Sequence, residues 1–259
     1  MSARRPMTIL HLFSGDLWAG AEVMIFHLLR RLSNDPDLRI LALALNEGTL
    51  AQRLRDAGIP THVIPESGAS FPALFLKIGR WMRGRQVDVI HSHRYKENLI
   101  AWLLGFSPGV KRRVATIHGM PEPTDGWKTG LLHQTNFLLL RRGFSTVAVS
   151  MEMKRTLIER HQFHHDRVAL IHNGIERAAA PPPSDATAYR PPTGVLHIGT
   201  VGRMVPVKDF DFLLKVVAEV ARQVKVVRFS LLGEGPMRGR LVEQVGHLGL
   251  GENVVFFCP

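Results

Sequence analysis

The stretch Gly199–Asp209, which reads GTVGRMVPVKD, decides the fold class of this chain of 259 residues. Small and apolar residues up to Val201 predict a short buried strand. The apolar residues that recur at helical spacing after Asp209 predict a helix, and Asp209 is suited to cap it. Between them lie two basic residues, Arg203 and Lys208. Open α/β sheets bind ligands at the carboxyl ends of their strands, where helix N-termini offer N–H groups to phosphates. The stretch therefore predicts a diphosphate site, unless its two cations are only solvated loop residues.

Strand and helix alternate along the rest of the chain, which predicts parallel sheets covered by helices on both faces. The predicted strands are Thr8–Phe13, Arg39–Leu45, Thr61–Ile64, Val87–Ser92, Val114–Ile117, Ser145–Val149, Val168–Ile171, His197–Val201, Val226–Leu232 and Val254–Phe257. Within each of the two alternating regions a helix is predicted between successive strands, and Ser150 is suited to cap one of these helices. The predicted fold class is α/β, with a Rossmann-like parallel-sheet domain followed by the first half of a second one.

A segment rich in proline and alanine separates the two alternating regions. It predicts an N-terminal domain over residues 1–175, a semi-rigid linker over residues 176–194 and a partial second domain over residues 195–259. Three strands and two helices form half of a doubly wound domain and leave a hydrophobic edge at Val254–Phe257. We therefore expect the chain to be truncated relative to full-length relatives, with a missing C-terminal segment or a partner chain completing it.

Composition excludes several classes of protein. Hydrophobic residues make up 45% of the chain and charged residues 21%, which excludes a disordered protein. No apolar run approaches the ~20 residues that span a bilayer, and the N-terminus lacks the features of a signal peptide. The single cysteine, Cys258, excludes an internal disulfide and a cysteine metal cluster. A reducing, cytoplasmic location is the expectation.

The net charge of +11 is concentrated in the first domain. Up to Pro183 there are 24 basic and 15 acidic residues, a net charge of +9; beyond it there are 9 and 7, a net charge of +2. Such a surface attracts phosphates, acidic glycans or anionic lipid headgroups, which suggests peripheral association with the inner face of a membrane. Nucleic acid is disfavoured as a partner, because basic and aromatic residues do not alternate along any stretch.

Two loops of the first domain carry candidate site residues. Small residues around Gly20 let backbone N–H groups approach a ligand closely, although simple helix capping would explain them equally well. His93 and His118 each follow a strand and are predicted to face the crevice at the strand ends. His118 could donate a hydrogen bond to a sugar hydroxyl or to a developing charge. Each histidine could instead be structural, and a histidine pair alone is not a metal site.

Two further turns are candidates for nucleotide binding. Gly233 and Gly235 lie in a tight turn between a strand and a helix, and Asn173 follows the last strand of the first domain. Ordinary turn chemistry is the alternative for all three. His161, His164 and His165 lie in a connecting segment and are interpreted as solvated.

Taken together, these motifs resemble the family-four group of retaining glycosyltransferases, which have the GT-B architecture of two facing Rossmann-like domains. The resemblance runs in order from Thr8 to the last residue. The matching pieces are Gly20–Glu22, Val89–His93, Thr116–Gly119, Val149–Ser150, His172–Ile175, Val201–Arg203 with Lys208, and Leu232–Pro236.

The resemblance implies transfer of a sugar from a nucleotide-sugar donor with retention, usually without a metal or other cofactor. It implies that Arg203 and Lys208 hold the donor's diphosphate, that Gly20 lies against the phosphates and that His118 contacts the transferred sugar. We assign Glu22 and His93 to the acceptor side. The family's Glu-x7-Glu element is absent from the chain, so we expect this chain to be incomplete for catalysis.

The acceptor and the alternatives stay open at this stage. The basic surface suggests an envelope or lipid-linked glycan as acceptor. The main alternative is a non-catalytic module that binds an anionic membrane surface or an acidic glycan. A nucleotide-sugar epimerase of related architecture is less well supported, because such enzymes need further acidic groups and histidines.

Overall fold

The computed structural model describes residues 5–15, 18–120, 127–174, 194–224 and 226–257. The chain divides into two compact units, Met1–Arg177 and Ala178–Pro259. Apart from residue 194, the predicted linker over residues 176–194 lies outside the described residues, as does Cys258. The domain and linker limits therefore stay a prediction.

The first unit is built on a parallel sheet of seven strands, as the alternation of strand and helix predicted. The strands are β1 (Met7–Phe13), β2 (Leu38–Ala44), β3 (Thr61–Val63), β4 (Val89–Ser92), β5 (Arg112–Ile117), β6 (Ser145–Ala148) and β7 (Val168–Leu170). Their order across the sheet is β3-β2-β1-β4-β5-β6-β7. The winding direction reverses between β1 and β4, which makes the carboxyl ends of these two strands a switch point where such sheets bind ligands.

Six helices among the described residues connect these strands. They are α1 (Gly20–Leu32), α2 (Thr49–Asp56), α3 (Phe71–Met82), α4 (Tyr95–Leu104), α5 (Trp127–Gly143) and α6 (Met151–Glu159). Alternate side chains of a strand point to opposite faces, so β1 contributes to two separate apolar layers. Leu10 and Leu12 pack in one cluster with residues of α3 and α4, whereas Phe13 packs in another with residues of α1 and α2.

Local capping follows the predicted pattern at α6. The Oγ of Ser150 accepts a hydrogen bond from the backbone N–H of Met153 at 3.1 Å. This bond satisfies one of the N–H groups that the first turn of a helix leaves without a partner. The predicted Ser150 cap is confirmed.

The described part of the second unit contains three parallel strands, ordered β10-β9-β8, and two helices. The strands are β8 (Leu196–Val201), β9 (Val227–Leu232) and β10 (Val254–Phe257), and the helices are α7 (Phe210–Gln223) and α8 (Arg238–His247). Leu214, Phe229 and Leu241 lie in its separate core. Asp209 caps α7 as predicted, because its Oδ1 accepts a hydrogen bond from the N–H of Phe212 at 3.3 Å.

One expectation for the second unit is wrong. The residues before Arg203 were predicted to form a buried strand, but every residue of β8 is half-buried or exposed. Ile198 is 39% exposed and Val201 is 78% exposed. Among the described residues, β8 has a neighbouring strand, β9, on one side only.

No helix among the described residues has both the length and the apolar character needed to cross a membrane.

Candidate functional site

Three histidines meet at the carboxyl ends of β1, β4 and β5. His11 lies within β1, whereas His93 and His118 directly follow β4 and β5. His93 bridges the other two: its Nε2 lies 3.3 Å from Nδ1 of His11, and its Nδ1 lies 3.1 Å from Nε2 of His118. The predicted meeting of His93 with His118 is thus found. His93 is only 4% exposed, although it lines a cavity together with His118, and its acceptor-side role stays a prediction.

Burial keeps these imidazoles neutral. His11 is fully buried, and desolvation lowers the pKa of both His11 and His93 well below the ordinary value of 6.5. Burial, with a smaller contribution from the positive charge of Arg94, lowers the pKa of His118 to about 4. A neutral imidazole offers one N–H and one lone pair, so His118 can donate only one hydrogen bond.

A cavity of about 240 Å³ adjoins His118. Arg94 and Asn98 of the β4–α4 segment line it together with Gly119 and Asn136. Gly119 is exposed, and a Cβ placed on it would meet nothing within 4 Å in the part of the chain that the structure describes. The cavity therefore combines a neutral histidine, a guanidinium and two amides, which are groups suited to binding hydroxyls and anions.

Glu22 is held by protein groups. The residue is 1% exposed in the first turn of α1, where its Oε2 accepts a hydrogen bond from the N–H of Ala19 at 3.3 Å. Its Oε1 accepts a hydrogen bond from Nη2 of Arg94, and the two side chains form an ion pair. Glu22 thus caps α1 and fixes Arg94 at the cavity, and its assignment to the acceptor side stays a prediction.

The loop between β1 and α1 leaves space at Gly20. This residue is exposed, and a Cβ placed on it would meet no atom of the described residues within 4 Å. Packing against the described residues does not require a glycine there, and its role beside the phosphates stays a prediction. Asp16 and Leu17 of the same loop lie outside the described residues.

Asn173 lies beside a second cavity, of about 560 Å³, in the first unit. The residue is exposed beyond β7, and the cavity extends from it over Val147 of β6 and Thr116 of β5 to Met24 of α1. Its lining is largely apolar. Ile175, which belongs to the same predicted motif, lies outside the described residues.

The basic loop of the second unit has the predicted position. Arg203 follows the end of β8, and Lys208 ends a single 3-10 turn, Pro206–Lys208, that precedes α7. Both residues are exposed. Asp209 adopts a left-handed backbone conformation with φ of 48°, so the chain reverses between Lys208 and the first turn of α7. The loop therefore presents two cations at the N-terminus of a 14-residue helix.

Gly233 and Gly235 have a structural role that turn chemistry alone did not reveal. The loop after β9 runs against the loop after β8, where the N–H of Met204 donates to the carbonyl oxygen of Glu234 at 2.8 Å. A Cβ on Gly235 would lie 2.4 Å from the carbonyl oxygen of Met204. These glycines hold the basic loop in place, and nucleotide contact by them stays a prediction.

Some residues at the site were missed or misjudged from sequence. A single histidine within an apolar strand gives no signal, so His11 was not singled out. Glu97 of α4 was not singled out either. It is a buried carboxyl that accepts a hydrogen bond from Ser14. His164 and His165 are exposed as predicted, but the solvated interpretation of His161 is wrong. Its ring stacks on Phe137 with the centroids 4.0 Å apart, and burial lowers its pKa.

The histidine cluster also has the spacing of a metal site. Nitrogens of His11, His91 and His93 lie within 4.8 Å of one another. The facing nitrogens of His11 and His93, however, are engaged with each other. Metal ligation needs both lone pairs to converge on a third point, so this arrangement suits hydrogen bonding better.

Comparison with known proteins identifies relatives for both units. Residues 18–179 match the family described as Glycosyltransferase Family 4, and residues 196–258 match the one described as Glycosyl transferases group 1. EpsF of Bacillus subtilis (strain 168) is 25% identical over 96% of this chain and 67% of its own length. The capsular polysaccharide biosynthesis glycosyltransferase CapH of Staphylococcus aureus is 28% identical over 41% of this chain and 29% of its own length.

The fold has a close match among solved structures. The crystal structure of Anabaena HepE in complex with UDP superposes with a TM-score of 0.77 and 21% sequence identity. It covers 97% of this chain and 69% of HepE. A second HepE structure, in complex with UDP-glucose, gives the same TM-score. The α/β class and the likeness to GT-B glycosyltransferases that the sequence predicted are confirmed.

Proposed function

This chain belongs to Glycosyltransferase Family 4, and from that premise we propose that it transfers a hexosyl group from a nucleotide sugar to an envelope or lipid-linked glycan, with retention at the anomeric carbon. The donor class is supported by HepE, which was solved in complex with UDP and with UDP-glucose. The acceptor class is supported by the name of CapH, a glycosyltransferase of capsular polysaccharide biosynthesis. We propose a UDP-hexose as the donor to be tried first.

The observation that carries the proposal is the basic loop between β8 and α7. Arg203 and Lys208 are both exposed there, next to the N-terminus of α7. Backbone N–H groups at a helix N-terminus and two flexible cations are the donors that a diphosphate requires. The leaving nucleoside diphosphate gains negative charge as the glycosidic bond breaks, so these groups stabilise the transition state more than the bound donor.

Roles in the first unit follow from the geometry of the cavity beside His118. We propose that Gly20 lets the backbone of the first loop approach the phosphates, and that His118 donates a hydrogen bond to the transferred sugar. Arg94, fixed by Glu22, supplies positive charge beside His118. Gly233, Gly235 and Asn173 are proposed contacts of the nucleotide. This scheme uses no metal ion or other cofactor, and turnover is expected to persist in EDTA.

The test is a donor screen on the protein as its source cell produces it. UDP release from a panel of UDP-hexoses is measured with and without a lipid-linked glycan, and the anomeric configuration of the product is determined by proton NMR. We expect release from one UDP-hexose, stimulated by acceptor, and an α-linked product from an α-linked donor. Inverted product would overturn retention, and no release from any nucleotide sugar would overturn the proposed function.

A specific surface favours peripheral contact with an anionic membrane. The outer face of α3 exposes Leu76, which is 57% exposed, next to the exposed cations Lys77 and Arg80. Apolar side chains flanked by cations on one helix face bind the headgroup region of anionic bilayers. We propose that this face brings the enzyme to a lipid-linked acceptor at the inner face of the membrane.

A further inference from the structure

A groove of about 520 Å³ lies between α3, α4 and α5 of the first unit. Its walls are mainly aliphatic and aromatic side chains, among them Phe71, Leu74, Tyr95, Leu99, Leu132 and Leu139. Phe71 is 39% exposed, and Tyr95 and Leu132 are each 40% exposed. Large apolar side chains from three helices thus converge on one concave surface, which is typical of a site that binds an apolar group.

This apolar groove adjoins the cavity beside His118. Tyr95 and Asn136 line both spaces, so the two share part of one wall. A ligand that places a sugar beside His118 can therefore extend past these two side chains into the groove. The position of the groove connects it with the site of the proposed sugar transfer.

Two cations belong to the chain segment at the junction of the two spaces. Arg94 lines the cavity and Lys96 lines the groove, and their side chains are 41% and 49% exposed. Among the described residues each forms one ion pair, Arg94 with Glu22 and Lys96 with Glu66. A guanidinium has five N–H donors and an ammonium group has three, so both keep donors for a further anion. The junction is suited to a phosphate.

Hydrogen-bonding groups within the groove are few. Glu66 and Lys96 pair with each other at 3.0 Å, and Oδ1 of Asn136 accepts a hydrogen bond from Asn98 at 2.9 Å. The backbone of a bound peptide would need partners for its N–H and carbonyl groups, whereas a hydrocarbon chain needs none. The lining therefore favours a hydrocarbon chain as the occupant.

We propose that the groove binds the lipid chain of the acceptor, which is joined through a phosphate to the sugar that reaches His118. This inference rests on the proposed function and assigns the apolar part of its acceptor. The phosphate lies at Arg94 and Lys96, and the chain lies against Phe71 and Leu132. Each methylene group that leaves water gains about fourfold in affinity, so a lipid-linked acceptor binds more tightly than the same glycan without its lipid.

The first experiment measures binding and needs no turnover. Decyl phosphate, kept below its micelle concentration, is titrated by calorimetry at pH 7.5 into the protein as its source cell produces it. We expect saturable binding of one molecule per chain, and binding of decyltrimethylammonium that is weaker by about tenfold or more. Leu132→Glu, which places a carboxylate in the groove, is expected to weaken binding of decyl phosphate by about tenfold or more, and Lys96→Gln by about fivefold.

Two matched variants serve as controls. Leu138→Glu makes the same change on the same helix at a residue that is 39% exposed and does not line the groove. Lys215→Gln removes an exposed lysine of the second unit. Both are expected to bind decyl phosphate within about twofold of the wild type. Absence of saturable binding, or equal affinities in Leu132→Glu and Leu138→Glu, would overturn the proposed groove. Equal affinities in Lys96→Gln and Lys215→Gln, or for the two decyl compounds, would overturn the place of the phosphate.

Kinetics provide the second readout. With the UDP-hexose that the donor screen selects, Leu132→Glu is expected to raise KM for a lipid-linked glycan about tenfold and to change kcat by less than about twofold. KM for the same glycan with a methyl group in place of the lipid is expected to stay within about twofold. An unchanged KM for the lipid-linked glycan in Leu132→Glu would overturn the proposal. If no nucleotide sugar is turned over, the proposed function fails, and the calorimetry still decides whether the groove binds a phosphate-linked chain.

Discussion

The backbone of Gly233 passes so close to Gly202 that a Cβ on Gly233 would lie 2.1 Å from the carbonyl oxygen of Gly202. The two loops are also joined by a hydrogen bond of 3.0 Å from the N–H of Gly202 to the carbonyl oxygen of Leu232. Arg203 directly follows Gly202. The position of the proposed diphosphate-binding cation therefore depends on a glycine 30 residues further along the chain.

This contact predicts the effect of Gly233→Ala. The added methyl group must displace backbone, which costs about 1–3 kcal/mol of unfolding free energy and moves the loop that carries Arg203. Urea unfolding and UDP binding by calorimetry are the measurements, and both are expected to weaken. Gly239→Ala in α8 is the control: its Cβ meets no described atom within 4 Å, and a helical Gly→Ala change stabilises by about 0.5–1 kcal/mol. Wild-type stability in Gly233→Ala would refute the close contact.

The ion pair between Glu22 and Arg94 predicts an asymmetry between its two partners. The side chain of Glu22 is 1% exposed and that of Arg94 is 41% exposed. Arg94→Ala leaves a buried carboxylate uncompensated and is expected to cost about 2–4 kcal/mol, whereas Glu22→Gln leaves a cation that water reaches and costs about 1–2 kcal/mol. Urea unfolding at pH 7.5 measures both. A larger cost for Glu22→Gln would contradict the burial described.

Buried neutral histidines predict that acid destabilises the first unit well above the range where carboxylates titrate. Burial lowers the pKa of His91 to about 3 and of His118 to about 4, both below the ordinary 6.5. Their contribution to the free energy of unfolding is complete above about pH 6.5. It is lost as the pH falls towards their folded-state pKa values, because the unfolded chain then binds more protons than the folded protein. In that window each such histidine lowers the free energy of unfolding by about 1.4 kcal/mol for every unit by which the pH falls.

The variant His91→Gln isolates one of these contributions. Between pH 7.5 and pH 5.5 it is expected to lose about 1.4 kcal/mol less unfolding free energy than the wild type. Burial raises the pKa of Glu97, which acts in the opposite direction, but this contribution is common to both proteins and cancels. His164→Gln is measured alongside to account for loss of a histidine as such. Identical pH profiles for His91→Gln and the wild type would rule out a buried neutral His91.

The outer face of α3 predicts the behaviour of the protein with lipid vesicles. Lys77→Ala is expected to weaken binding to phosphatidylserine vesicles about fivefold, since one cation near an anionic surface contributes about 1 kcal/mol. Flotation with these vesicles and with neutral ones is the measurement. Lys215→Ala, which removes an exposed lysine from α7, is the control. Equal binding of Lys77→Ala and Lys215→Ala would exclude α3 as the contact face.

The order of strands and helices was accessible from sequence, because apolar periodicity and caps such as Ser150 and Asp209 are local signals. The contact between His11 and His93 could not be predicted from the sequence. These residues are 82 positions apart, and their contact depends on the pairing of β1 with β4. The hydrogen bond between Glu22 and Arg94 could not be predicted either, because these residues lie 72 positions apart in the sequence. The exposure of β8 was missed since a pattern of apolar residues does not reveal which strand lies at an edge.

In the proposed function, the basic loop after β8 binds and stabilises the leaving nucleoside diphosphate. The most direct measurement is kcat/KM for UDP-hexose turnover in Arg203→Ala and Lys208→Ala, compared with Lys215→Ala. We predict a loss of about a hundredfold or more for each of the first two and a change within about twofold for Lys215→Ala. Wild-type turnover in Arg203→Ala or Lys208→Ala would contradict the claim.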